Sequence, residues 1–246
     1  SMERPGGKTA AVVLAAGQGK RMKSSVQKQF MELAGKPLIV HALERFQESD
    51  VDQIVLVTGR EELSYCKNEI VAAFGFSKVT AVVAGGKERY HSVYEGLKAL
   101  SGQGIESVLI HDGARPLLTE TIISDALKGA AAYGACVIAV PAKDTIKLAD
   151  EEQFARETPP RDRLWQIQTP QAFSYSLILS AYEKLFSRAE YQQGVTDDAM
   201  VVETMTDTRV KLVMADYENI KVTTPEDIIL AAAFLKTRVA HFPSNR

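Results

Sequence analysis

The chain has only two cysteines in 246 residues, Cys66 and Cys136, and they lack C-x-x-C spacing. In apolar or helical surroundings they read as reduced, cytoplasmic thiols, which excludes a secreted disulfide framework. Four histidines, His41, His91, His111 and His241, do not pair with one another or with cysteine at metal-ligand spacing, which argues against zinc. Charge of either sign is not in surplus: 29 Lys plus Arg against 31 Asp plus Glu leave a net −2. Nucleic acid held by general phosphate attraction is therefore not expected, and any phosphate site must be local. No apolar run approaches the roughly 18–20 residues that a membrane span needs, so no membrane partner is expected. Ser1-Met2 reads as a cleavage scar, and residues 1–7 as a tag remnant or disordered N-terminus without the apolar segment of a signal peptide.

What is present is a hydrophobic fraction of 46%, enough at this length for a core that needs no disulfide or structural metal. Short β-branched runs alternate with helix-length segments. The runs Ala10–Leu14, Gln53–Val57, Val79–Val83, Ser107–His111, Ala135–Val140 and Val210–Val213 predict buried strands. Apolar spacing of three and four predicts helices over Pro37–Phe46, Glu61–Phe74, Arg89–Leu100, Glu120–Tyr133 and Ser176–Phe186. A last helix should start with Thr224 as cap and Pro225 at the first helical position, and run to about Arg238. This alternation implies right-handed crossovers and an α/β, doubly wound, mostly parallel sheet, with ligands beyond the carboxyl ends of the strands. The stretch Ala142–Arg163, with Pro159-Pro160 and no period, reads as a disordered loop or an excursion from the domain.

Three strand ends carry chemistry. Leu14-Ala15-Ala16-Gly17-Gln18-Gly19-Lys20-Arg21-Met22, with Lys28 following, offers small residues for close backbone approach and cations for a polyphosphate, or forms a plain strand-to-loop turn. The dinucleotide fingerprint fails at Met22, and the P-loop pattern fails because Gly7-Lys8-Thr9 precedes the strand. Gly85-Gly86-Lys87-Glu88-Arg89 is either a simple start to a helix or a loop gripping a base or ribose, with Ser92 buried or facing the site. Asp112 in His111-Asp112-Gly113-Ala114-Arg115-Pro116 is placed to meet Mg²⁺ carried by a nucleoside triphosphate, or to form a local salt bridge with Arg115. His111 is read as a packed residue. Without G-x-S-x-G or a local Ser–His pattern, the expected chemistry is positioning and charge stabilisation.

In order along the chain stand Leu14-Ala15-Ala16-Gly17-x-Gly19-x-Arg21-Met22, Lys28-Gln29-Phe30, His111-Asp112-x-Ala114-Arg115-Pro116, Thr196-Asp197-Asp198 and Asn219-Ile220-Lys221-Val222-Thr223-Thr224-Pro225-Glu226-Asp227. Over residues 8–240 this resembles the 2-C-methyl-D-erythritol 4-phosphate cytidylyltransferases of the non-mevalonate isoprenoid pathway. The resemblance implies one Rossmann-like nucleotidyltransferase domain with a protruding dimerisation arm. It implies that Ala15, Ala16, Gly17, Gly86, Ser92 and Asp112 bind CTP, with Asp112 on Mg²⁺ or another divalent metal. Arg21, Lys28 and Lys221 match the catalytic cations. Arg115, Thr145, Arg161, Thr169, Thr196 and Lys221 match groups around the sugar phosphate. The 142–164 segment matches an arm that reaches into a partner, making a homodimer that would bring Thr145 and Arg161 to the neighbour's site. A ribitol-5-phosphate or other sugar-phosphate cytidylyltransferase, or a CTP-binding module without turnover, stays open.

Overall fold

The computed structural model describes residues 7–17 and 30–241. Strand β1 (Lys8–Ala15) is buried from Thr9 onward, as a strand covered on both faces must be. A small hairpin, β2 (Glu32–Leu33) and β3 (Lys36–Pro37), turns through Ala34 and Gly35, both at positive φ, and leads into α1 (Leu38–Glu48). After β4 (Gln53–Thr58), the segment expected as one α-helix changes winding. It runs as a 3₁₀ turn over Arg60–Glu62, a single turn α2 (Leu63–Tyr65) and a π-helix over Cys66–Ala72. Apolar spacing names the inward face, here Cys66 and Ile70, but not the pitch that carries it.

Next come β5 (Val79–Ala84), α3 (Arg89–Lys98), β6 (Ile105–Asp112), α4 (Glu120–Tyr133) and β7 (Ala135–Pro141). Helix α4 has the expected bounds, because both ends are chemically marked. The Thr119 hydroxyl accepts the Ile122 N–H at 3.2 Å, and Gly134 at φ 77° stops the helix. The Ala142–Arg163 stretch is an excursion: its short strands β8 (Leu148–Ala149) and β9 (Ala155–Glu157) pair with each other and are exposed.

The chain returns through β10 (Trp165–Ser174), α5 (Tyr175–Phe186), α6 (Asp198–Met205), β11 (Lys211–Met214) and α7 (Pro225–His241). Helix α7 starts at Pro225, as expected, with Thr224 at the cap position. Asp227 reaches back, its Oδ2 accepting the N–H groups of Thr223 and Thr224 at 2.9 and 3.0 Å. A carboxylate in the first turn satisfies these donors and the helix dipole together.

Seven strands form one sheet in the order β11-β7-β10-β6-β1-β4-β5, parallel except for β10, which runs antiparallel to both β6 and β7. Neither β10 nor α6 was expected from the sequence. Gln166, Gln168, Pro170 and Gln171 make β10 read as polar loop, and the register shift between Ile167 and Gln171 is what lets a proline sit inside it. Alternating residues of β1 feed two cores. Ala11 and Val13 face α1 and α4, whereas Ala10 and Val12 face α3 and α5. The sheet is thus doubly wound, as its alternation predicts.

Helix α3 lies very close to β1 at Gly96, where an added Cβ would come within 2.5 Å of Val12 Cγ1 and 3.1 Å of Val57 Cγ2. Both valines are fully buried and cannot rotate aside without a clash elsewhere. Alanine's better helix propensity, about 1 kcal/mol, is outweighed by overpacking. Gly96→Ala is therefore expected to lower stability by about 1–2 kcal/mol in urea unfolding, rather than raise it.

Candidate active site

The order of strands reverses beside β1. From it the chain moves to β4 and β5 on one side, then crosses back to β6 on the other, and such a switch point opens a crevice beyond the carboxyl ends of the strands. Leu14 and Asp112 are register partners at that end. The Gly113 N–H donates to the Leu14 carbonyl at 2.8 Å, and a Cβ there would fall 2.7 Å from that oxygen and 2.4 Å from Ile39 Cδ1. Glycine is what lets the loop after β6 cross so tightly over β1.

A hydrogen-bonded chain then sets the end of β6. The Asp112 N–H donates to Thr169 Oγ1 at 3.0 Å, and that hydroxyl lies 2.9 Å from His111 Nδ1. Nε2 of His111 lies 3.0 Å from the Arg115 carbonyl, which can only accept, so Nε2 carries the proton and Nδ1 accepts from Thr169. One neutral imidazole satisfies every partner. Burial pushes its pKa down to about 4, which agrees with that tautomer. His111 is packed, as expected, and it is also the prop under Asp112.

Around Asp112 the charges converge. Arg89 Nε lies 3.1 Å from Oδ1, and Lys221 Nζ 3.5 Å from Oδ2. Burial opposes ionisation of this carboxyl, but Arg89, then Lys221 and Arg115, outweigh it and hold its pKa well below the usual carboxylate range. Arg115 does not make the local salt bridge with Asp112. Its guanidinium donates instead to the Asn219 carbonyl at 2.7 Å. Asn219 is fully buried and donates to Gln168 Oε1 and the Thr169 carbonyl, while the Val222 N–H donates to the Ala114 carbonyl. These bonds strap the segment before α7 across the end of the sheet and carry Lys221 to Asp112.

The small-residue loops meet on the other side of the crevice. A Cβ on Gly85 would lie 2.3 Å from Ser92 Oγ and 2.8 Å from Ala16 Cβ, so the loop after β1, the loop after β5 and the first turn of α3 touch there. Ser92 is buried, its Oγ accepting the Gly86 N–H at 3.2 Å, and it shapes the Gly85-Gly86 loop. Ala15, Ala16, Gly17, Gly86, Ser92, Asp112, Arg115, Thr169 and Lys221 therefore lie along one crevice. Arg21 and Lys28 lie outside the described residues. Thr196 is exposed just ahead of α6, its hydroxyl on Met200 S. Thr145 and Arg161 sit exposed on the 142–164 excursion, where Arg161 donates to the Lys143 carbonyl, and no described bond ties them to Asp112 in the same chain.

Sequence reading gave no role to Arg89, Asp198 or Tyr182. Arg89 is the first residue of α3, an unfavourable place for a cation against the helix dipole, and that misfit was the available signal. Its reason is tertiary: NH1 and NH2 bind Asp198 Oδ1 and Oδ2 at 3.1 and 3.0 Å. Among the described residues, no three His, Cys, Asp or Glu side chains group as ligands for a metal. One ionised carboxylate suits a Mg²⁺ that keeps most of its shell in water and phosphate oxygens, and Asp112 is the residue that would hold it.

A family model for 2-C-methyl-D-erythritol 4-phosphate cytidylyltransferase matches residues 9–237. The chain belongs to that family. Proteins named 2-C-methyl-D-erythritol 4-phosphate cytidylyltransferase from Lachnospira eligens and Alkaliphilus oremlandii are 50% and 47% identical, covering 92% and 94% of this chain and 98% and 96% of their own. The crystal structure of the 4-diphosphocytidyl-2C-methyl-D-erythritol synthase from Anaerococcus prevotii superimposes with a TM-score of 0.82 at 34% identity, covering 94% of this chain and 97% of that one.

The His111 prop makes stability depend on pH. Its folded pKa, about 4, lies below its ordinary 6.5, so the unfolded chain binds the proton first. Stability from this group is full above about pH 6.5 and falls as pH drops toward 4, by about 3 kcal/mol in all. His41, also lowered by burial, acts in the same direction, whereas loss of the Asp112 ion pairs begins only near and below 3.8. Urea unfolding between pH 7 and 4.5 should show this slope, and His111→Asn should be less stable at pH 7 but visibly flatter.

Proposed function

We propose that this chain transfers the cytidylyl group of CTP to 2-C-methyl-D-erythritol 4-phosphate, giving 4-diphosphocytidyl-2-C-methyl-D-erythritol and diphosphate. The observation that carries the reading is Asp112, kept ionised between Arg89 and Lys221 at the switch point of a family member's sheet. A phosphate oxygen of the sugar substrate attacks the α-phosphorus in line, the bond from that phosphorus to the β-phosphate bridge breaks, and diphosphate leaves with its electron pair. No covalent enzyme intermediate is needed, because such transfer is limited by alignment and charge.

The small loops at Ala15-Ala16-Gly17 and Gly86, with Ser92 beneath them, fit the cytidine end of CTP. Asp112 faces the phosphates, and Mg²⁺ held there would neutralise part of the triphosphate charge. Lys221, partly exposed and loosely paired, is the cation free to turn toward the incoming sugar phosphate, and by resemblance Arg115, Thr169 and Thr196 join it there. By resemblance Arg21 and Lys28 complete the set on the α-phosphate. We place residues 8–240 in one domain whose 142–164 arm pairs two subunits, so that Thr145 and Arg161 serve the partner's site. Exposed Ile146, Leu148 and Phe154 on that arm suit burial against a second copy. Both cysteines are free and buried, in keeping with a cytoplasmic enzyme, and among the described residues no helix is long and apolar enough to cross a membrane.

Diphosphate release with each of CTP, ATP, GTP and UTP, against methylerythritol 4-phosphate and ribitol 5-phosphate, tests the reading. Turnover is expected only with CTP and methylerythritol 4-phosphate. Preference for ribitol 5-phosphate, or CTP binding with no release in any pairing, would overturn it. Lys28→Ala should lose roughly 10²-fold or more in turnover while still binding CTP, the scale of one missing transition-state cation. Mixing Arg161→Ala with Lys28→Ala protein should restore activity if the two residues meet across a dimer, and no recovery despite subunit exchange would place the site within one chain.

A further inference from the structure

The buried charges beneath the crevice are more than the reaction as described requires. Asp198 is completely buried at the first turn of α6, where Asp197 already serves as the cap, its Oδ1 accepting the Met200 N–H at 2.9 Å. A carboxylate in such a place costs several kcal/mol unless it is fully paired. Asp198 is fully paired: both oxygens take the fork of Arg89, and the buried Tyr182 hydroxyl of α5 donates to Oδ1. The same guanidinium turns its remaining Nε–H outward to Asp112 Oδ1 at 3.1 Å. Arg89 thus joins a dry carboxylate to the carboxylate that faces the crevice.

The two cations on Asp112 differ in kind. Lys221 is held at 3.5 Å, is 38% exposed and sits on a flexible stem. Arg89 is fixed by a planar two-point bond that a lysine could not make. When a sugar phosphate draws Lys221 away, Arg89 is the ion-pair partner that, among the described residues, still holds the Asp112 carboxylate. We propose that Asp198, locked by Tyr182, is a positioning residue of this enzyme: through Arg89 it aims the Asp112 carboxylate at the nucleotide phosphates. The proposal deepens the proposed function and rests on Asp112 meeting the CTP phosphates.

Tyr182→Phe removes one hydroxyl from a site that can keep its shape, and Asp198→Asn removes the charge. With folding verified by circular dichroism, titration calorimetry with CTP and Mg²⁺ should show roughly 5–10-fold weaker binding for Tyr182→Phe and a larger loss for Asp198→Asn. The decisive comparison is a double-mutant cycle. If Asp198 acts through Asp112, Tyr182→Phe should cost less than 2-fold when made in Asp112→Asn. Equal losses in the two backgrounds, or unchanged CTP binding in both single variants, would overturn the proposal, because a merely structural role does not depend on Asp112.

A readout without nucleotide separates this proposal from the enzymatic reading. In the free protein the Arg89 Nε–H resonance should be sharp and protected from exchange, and lost to exchange in Asp198→Asn. Protection that survives in Asp198→Asn would overturn the clamp even if the enzyme turns over normally. Protection lost as expected, in a protein that releases no diphosphate, would support the clamp while sinking the activity.

Discussion

The Arg89 guanidinium, shared between Asp198 in the dry interior and Asp112 at the crevice, is the interaction on which the site depends. Burial by itself opposes a charge on Asp112, and the Arg89 guanidinium outweighs it. With one delocalised cation and a tyrosine hydroxyl, the two carboxylates form a hydrogen-bonded network. Asp198 and Asp112 raise the Arg89 pKa well above its ordinary value despite burial, and Arg89 in turn depresses that of Asp112. Such a network specifies one arrangement, because any half-satisfied alternative leaves a bare charge in low dielectric.

The neutral groups extend that constraint to the backbone. His111 accepts from Thr169 and donates to the Arg115 carbonyl, and Thr169 accepts from Asp112, so the last residue of β6 has little freedom. Thr169 lies where β10 breaks register with β7, just beyond its pairing with β6 at Gln171 and Ile110. Asn219 ties the same stretch of β10 to the strap before α7, which delivers Lys221. The polar bonds join three chain segments far apart in sequence. The apolar layers beneath them, fed by alternate residues of β1, supply the rigid floor.

The excursion between β7 and β10 obeys a different logic. Two strands of two and three residues, with Phe154 67% exposed, bury almost nothing of their own. A two-stranded ribbon of that size is marginal in water by itself. Its exposed apolar side chains gain burial only against another surface, which is the physical ground for the proposal that it meets a second copy.

The sequence by itself determined the parallel strands, most of the helices and the place of the crevice, since alternation and strand ends are local properties that need no partner. Asp112 and the small-residue loops stood out for that reason, whereas Lys221 came only with the ordered motifs that resemble the family. Helix α4 was legible to the residue because Thr119 and Gly134 mark its ends by their own chemistry. Strand β10 was not, because Gln168 and Gln171 find their hydrogen-bond partners in groups distant in the chain and Pro170 sits in a register shift. The clamp was not either. Arg89, Tyr182 and Asp198 are 109 residues apart from first to last, and a cation at the start of a helix marks Arg89 as misplaced without naming Asp198 or Tyr182 as its partners. Only the tertiary structure decided it, since a buried charge finds its meaning in the opposite charge that the fold sets beside it.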